Sequence, residues 1–260
     1  MSISQKYKDQ FKRLKDLQIR VNHVHPLLHN YYPIAIVEEG NINIFDYNKN
    51  NKQFVLKHVE KDYMNIPMGV RAAFPLECYE NRSVVVVTGE VFESIANQII
   101  VFHEYVHCYQ FETCEMKLRS QIELAQRSVN TKDYFWELQY PFPYEDTEFV
   151  KYVNDLFKAL VANDRKELCI LRQEIKAYLT SEQVEYMVWQ EWKEGFARYI
   201  ENVIKREMGV KENHFGVNQP YSRPLLYETG SCMAGFLYRN KINDLQDIEE
   251  LYFIMSEDKW

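Results

Sequence analysis

Two histidines four positions apart, in the run His103-Glu104-Tyr105-Val106-His107, constrain this chain more than any other feature. On an α-helix they stand one turn above each other, about 40° apart around the axis, so both imidazoles can address one ion. Glu104 points about 100° away from His103 around the same helix. It is poorly placed to ligate that ion and well placed to reach a water beside it. The flanking apolar residues Ile95, Ile99, Phe102 and Val106 recur at helical spacing and predict a helix over residues 92–113, with the histidines next to its core face.

The chain changes character near residue 90. Before it, short β-rich runs at 33–37, 41–47, 53–59 and 82–88 are separated by turn signals such as Asn48-Lys49-Asn50-Asn51. The apolar stretch Val84 to Val87 reads as a buried strand, and residues 4–19 read as an opening helix. After residue 90 the periodicity is helical, at 145–162, 164–179, a long helix from Thr180 towards Gly209, 224–239 and 244–255. Thr180 with Gln183 fits a capping box, Pro224 fits a first helical turn, and Asn243 is a candidate cap. The expected class is α+β: a small N-terminal sheet with the motif helix, followed by a mainly helical lobe. The expected division is 1–90 and 91–260, with a helical insertion at about 114–180 that carries Tyr134, Phe135, Trp136, Tyr140, Phe142 and Tyr144.

Charge and composition narrow the function classes. A formal charge of −7 over 260 residues argues against a nucleic-acid binder, whose footprint is a basic patch. Residues 1–20 are rich in lysine and arginine but lack an apolar stretch, so no signal peptide is expected, and with no run of about 18 apolar residues no membrane span is expected either. The 5 cysteines include no C-x-x-C pair and read as reduced thiols, which points to a cytoplasmic protein.

A zinc ion with catalytic activity usually has three protein ligands and one open position. The glycine and third histidine of the metzincins are absent, with Gln110 and Thr113 in their places. The His-Glu-x-x-His run is the pattern of zinc peptidases. The segment Glu194-Gly195-Phe196-Ala197-Arg198-Tyr199-Ile200-Glu201 resembles the second motif of the gluzincin metallopeptidases, in particular their aminopeptidase branch. The resemblance implies a zincin-like fold, a zinc ion held by His103, His107 and Glu194, and a peptide or protein substrate. A glycine inside a helix costs roughly 1 kcal/mol against alanine, so Gly195 needs a reason, and close approach of this helix to the motif helix would supply one. Glu191 and His214 remain alternative third ligands.

Tyr227-Glu228-Thr229-Gly230 is similar to the tyrosine-containing segment that follows the ligand helix in these enzymes, which gives Tyr227 the role of an oxyanion donor. His214 is a second candidate for that role, as in thermolysin-like relatives. Glu201 is a candidate hydrogen-bond partner for a ligand histidine. By position, the 82–88 strand matches the gluzincin strand that edges the cleft and pairs with substrate. The chain departs from the aminopeptidases in the long stretch between His107 and Glu194 and in lacking their Gly-x-Met-Glu-Asn signature, so nothing implies an exopeptidase.

The reaction implied is peptide-bond hydrolysis by a metal-activated water, with Glu104 as general base. Two other readings fit the same residues: a zinc hydrolase acting on a non-peptide bond, and a metallopeptidase-like binding protein without turnover. Neither the oligomeric state nor the substrate's side-chain preference is encoded in any motif.

Overall fold

The computed structural model describes residues 2–133 and 135–258; Tyr134 of the ring-rich insertion lies outside the described residues. The elements in chain order are helix α1 (Ile3–Val21), strands β1 (Ile34–Glu38), β2 (Asn41–Asn48), β3 (Gln53–Lys61), β4 (Arg71–Leu76) and β5 (Arg82–Thr88), then helix α2 (Ile95–Gln110). Helices α3 (Met116–Arg119), α4 (Glu123–Thr131), α5 (Trp136–Gln139), α6 (Thr147–Ala162), α7 (Arg165–Tyr178) and α8 (Ser181–Gln190) follow. Helices α9 (Phe196–Glu207), α10 (Pro224–Arg239) and α11 (Ile248–Glu257) complete the chain. The class is mixed α and β: one small sheet and a mainly helical remainder.

By internal contacts the chain divides into two compact units, Met1–Thr113 with Ile200–Glu212, and Cys114–Tyr199 with Asn213–Trp260. The division falls inside α9, so one continuous helix contributes to both.

The first unit is built on a five-stranded sheet of order β3-β2-β1-β5-β4. β1 and β5 are parallel, with Ile34 opposite Val85, and the other pairs are antiparallel. Strand β5 is interior, flanked by β1 and β4, which explains why Val84 to Val87 are all fully buried. It therefore cannot offer an open edge to a peptide, contrary to the expectation for residues 82–88. The edge on that side is β4, which has no alternating apolar pattern and contains Pro75. A proline is tolerated there because an edge strand has backbone amides that need no ladder partner.

Helix α2 begins at the Ser94 cap, whose hydroxyl accepts from the Asn97 amide at 3.1 Å. Ile99, Phe102 and Val106 are completely buried, whereas Ile95, in the first turn, is 46% exposed and does not belong to the core face. The helix is shorter than residues 92–113. A 3₁₀ turn (Gly89–Phe92) precedes it and a π-helical turn (Phe111–Glu115) follows it.

The regular elements of the second unit among the described residues are helices. Thr180 and Gln183 form the reciprocal capping box, at 2.9 and 3.3 Å. The long helix from Thr180 is interrupted by a π-helical turn (Glu191–Gly195) and stops just before Gly209, which has φ +68°. The last helix is capped by Asp247, which accepts from the Glu250 amide at 2.9 Å, rather than by Asn243. No helix among the described residues is long and apolar enough to cross a membrane. Among the described residues no disulfide joins any of the five cysteines.

Candidate metal centre

Helix α2 presents His103 and His107 with ring centroids 5.0 Å apart. In each ring Nδ1 already has a partner. His103 Nδ1 lies 3.0 Å from Glu201 Oε2, and His107 Nδ1 lies 2.9 Å from the amide oxygen of Gln110. A carboxylate and an amide oxygen can only accept, so both Nδ1 atoms carry the proton and the lone pair of each ring sits on Nε2. This is the tautomer a metal-binding imidazole needs, and the arrangement of an outer partner fixing the ring is common at zinc sites. In the sequence Gln110 stands out only as the residue in place of a metzincin glycine. Its signal is its position three residues after His107, on a fully buried face.

Glu201 is 3% exposed and accepts from both His103 Nδ1 and the Lys205 ammonium, the latter at 2.5 Å. Burial alone would push its carboxyl up; the hydrogen bonds and charges of His103 and Lys205 outweigh burial and hold it down at about 2. The contact expected between Glu201 and a ligand histidine is present, and a four-residue ion pair to Lys205 accompanies it away from the surface.

Glu194 precedes Glu201 on the same continuous helical run, within its π-helical turn. One ligand atom from each of His103, His107 and Glu194 can be chosen so that all three lie within 4.8 Å of one another. Two imidazoles and one carboxylate are a donor set of the kind that holds zinc with an open coordination position. Glu104, adjacent to His103, is 5% exposed.

The other two candidate ligands are engaged elsewhere. Both carboxylate oxygens of Glu191 accept from Arg172 Nη1, at 3.0 and 2.8 Å, and one also accepts from Thr229 Oγ1 at 2.8 Å. His214 donates from Nδ1 to Glu228 Oε1 at 2.7 Å.

Gly195 has a different reason from the one expected. A Cβ there would lie 2.5 Å from the Cα of Gly230, and a Cβ at Gly230 would lie 2.2 Å from the Glu191 carbonyl oxygen. The close neighbour is α10, not the motif helix, and the two glycines face each other at the crossing.

That crossing sets Tyr227 one turn before Gly230. Its ring lies under two guanidinium groups, Arg198 at 5.1 Å and Arg223 at 5.6 Å. Burial and the neighbouring Glu194 carboxylate push its phenol well above the ordinary range, so the hydroxyl keeps its proton and remains a donor. Arg198 donates to the Phe215 carbonyl at 2.6 Å and reaches Glu228 Oε2 at 3.5 Å. Glu228 thus joins His214 and Arg198 in the segment that holds Tyr227.

Comparison with protein-family models, with curated proteins and with solved structures finds no match.

Proposed function

We propose that this chain is a zinc-dependent hydrolase of peptide bonds, similar in its site to the gluzincin metallopeptidases and zincin-like in its fold. The observation that carries the reading is the convergence of His103, His107 and Glu194, with both imidazoles already held in the tautomer that leaves Nε2 to an ion. Bound there, zinc would activate a water and polarise the scissile carbonyl.

The chain's own groups supply the rest. Glu104 takes the proton of the attacking water on its carboxylate and passes it to the leaving amine. Tyr227 donates its phenolic proton, as a hydrogen bond, to the oxygen on which negative charge develops, and burial keeps that proton in place. His214 is the second candidate donor; its Glu228 partner orients the ring. Glu201 and Gln110 hold the ligand rings at the angle at which they bind.

Elemental analysis of the purified protein, paired with a peptide-hydrolysis assay, tests the reading. Glu104→Gln is expected to retain zinc and to lose activity by about 10²–10⁴-fold, the usual range for a general base. Glu194→Ala is expected to lose both metal and activity. Full activity in Glu104→Gln would end the general-base role. Zinc without peptide hydrolysis, but with turnover of an ester or another carbonyl compound, would move the assignment to a non-peptide hydrolase. Zinc without any turnover would make the chain a binding protein.

A further inference from the structure

Both helices that supply the candidate ligands pass through a π-helical turn. Phe111–Glu115 begins four residues after His107, and Glu191–Gly195 contains Glu194 itself. A π-turn carries one extra residue, which rotates every side chain after it by roughly one helical step of 100°. The aim of Glu194 therefore depends on how its turn is held. At its first residue the turn is held by Arg172 and Thr229 through Glu191. At its middle residue it is held by something the sequence does not advertise.

Lys193 Nζ lies 2.8 Å from Glu115 Oε1 and 2.9 Å from Glu137 Oε2. Arg119 Nη1 closes the figure, 3.3 Å from Glu115 Oε1 and 3.0 Å from Glu137 Oε1. The four charges alternate in sign and sum to zero. Each cation lies over an indole, Lys193 over Trp189 and Arg119 over Trp136, both at 5.7 Å, and the two indoles are 5.9 Å apart. Glu115 is the last residue of one π-turn and Lys193 the central residue of the other, so the quartet ties the two turns together.

We propose that Lys193 is a positioning residue, and that its partly buried quartet with Glu115, Glu137 and Arg119 fixes the π-turn carrying Glu194 and thereby sets the affinity and geometry of the metal site. The inference rests on the zinc reading and names what tunes that site. Stability is a poor reason for such a group, because buried ion pairs are often matched or bettered by well-packed apolar residues. Geometry is a better one. Lys193 shares a peptide bond with Glu194, so any shift of the lysine backbone is passed directly to the ligand, and outer partners of metal sites commonly matter through such orientation.

Two readouts test this on the full chain: zinc affinity by competition with a chromophoric chelator, and the visible absorption of the cobalt(II)-substituted protein, which reports ligand geometry. Lys193→Met is expected to weaken zinc by about 10–100-fold, the range typical of a lost outer partner, and to shift the cobalt bands. Lys193→Arg is expected to restore both. Arg119→Met removes the other cation of the quartet without touching the lysine that adjoins Glu194; it is expected to give a smaller shift of the cobalt bands and a smaller loss of zinc affinity than Lys193→Met. Should Lys193→Met fail to fold by circular dichroism, Glu137→Gln removes one of the two carboxylates on the lysine and is expected to give a smaller shift of the same kind. Wild-type affinity and bands in Lys193→Met, or in Glu137→Gln where that variant is used, would overturn the inference alone. So would equal losses in Lys193→Met and Arg119→Met. A wild-type chain that takes up no zinc would overturn the metal reading and this inference with it.

Discussion

Two imidazole–carboxylate pairs in this molecule are nearly the same chemically and differ in their surroundings. His103 is paired through Nδ1 with Glu201 at 3.0 Å, and His214 through Nδ1 with Glu228 at 2.7 Å. Each carboxylate is buried, and each also meets a cation, Lys205 or Arg198. The imidazoles part company. The His103 side chain is 12% exposed and shares helix α2 with a second histidine, whereas the His214 side chain is 54% exposed and belongs to a loop. A buried ring locked by a buried carboxylate beside another imidazole is suited to hold an ion. An exposed ring oriented by the same kind of partner is suited to offer a hydrogen bond to a bound substrate. The pair alone does not define a role; burial and neighbours do.

Removal of the rings should break the comparison most sharply. His103→Ala is expected to abolish zinc uptake and with it all hydrolysis. His214→Ala should leave the zinc content intact and lower kcat by about 10²–10³-fold if His214 is the oxyanion donor, the range seen when one such donor is lost. Unchanged kcat in His214→Ala would leave Tyr227 alone in that role.

Removal of the carboxylates should sharpen it. Glu201→Gln is expected to weaken zinc by about 10–100-fold, because a ligand ring loses its outer partner, and chelator competition reads this directly. Glu228→Gln should leave zinc affinity unchanged and lower kcat alone. Equal zinc losses in both variants would show that the two pairs are merely structural.

The smallest expected effect is on acid stability. The Glu201 carboxyl is held at about 2 in the folded chain, below the ordinary 4.5. Its folded value lies below its unfolded value, so its contribution is full above about 4.5 and is lost as pH falls towards 2. Metal-free wild-type protein should therefore lose stability across that window in urea melts, and Glu201→Gln should flatten the slope there. An unchanged slope in the variant would mean that other carboxylates, such as Glu137, dominate the acid transition.

Much of the fold was legible because local rules decided it. The Thr180 capping box, the Pro224 helix start and the buried run Val84 to Val87 depend on neighbours a few residues away. The misses have physical causes too. Strand β4 carries no alternating pattern and a proline, and only its edge position permits it. Ile95 fits the helical period, yet the first turn of α2 is where that face leaves the core. Gly195 demanded a close neighbour, but a glycine does not say which one, and the answer was Gly230.

What the sequence determined by itself is the part of the site carried on one helix. The spacing of His103 and His107 and the placement of Glu104 follow from 3.6 residues per turn wherever that helix goes. What only the tertiary structure decided is which distant groups meet them. Glu191 and Glu194 share one helical turn and the same side chain, and the π-turn together with Arg172 sends the first into a buried salt bridge and the second towards the histidines. Contacts between residues so far apart in sequence depend on the packing of whole elements, which no local pattern encodes.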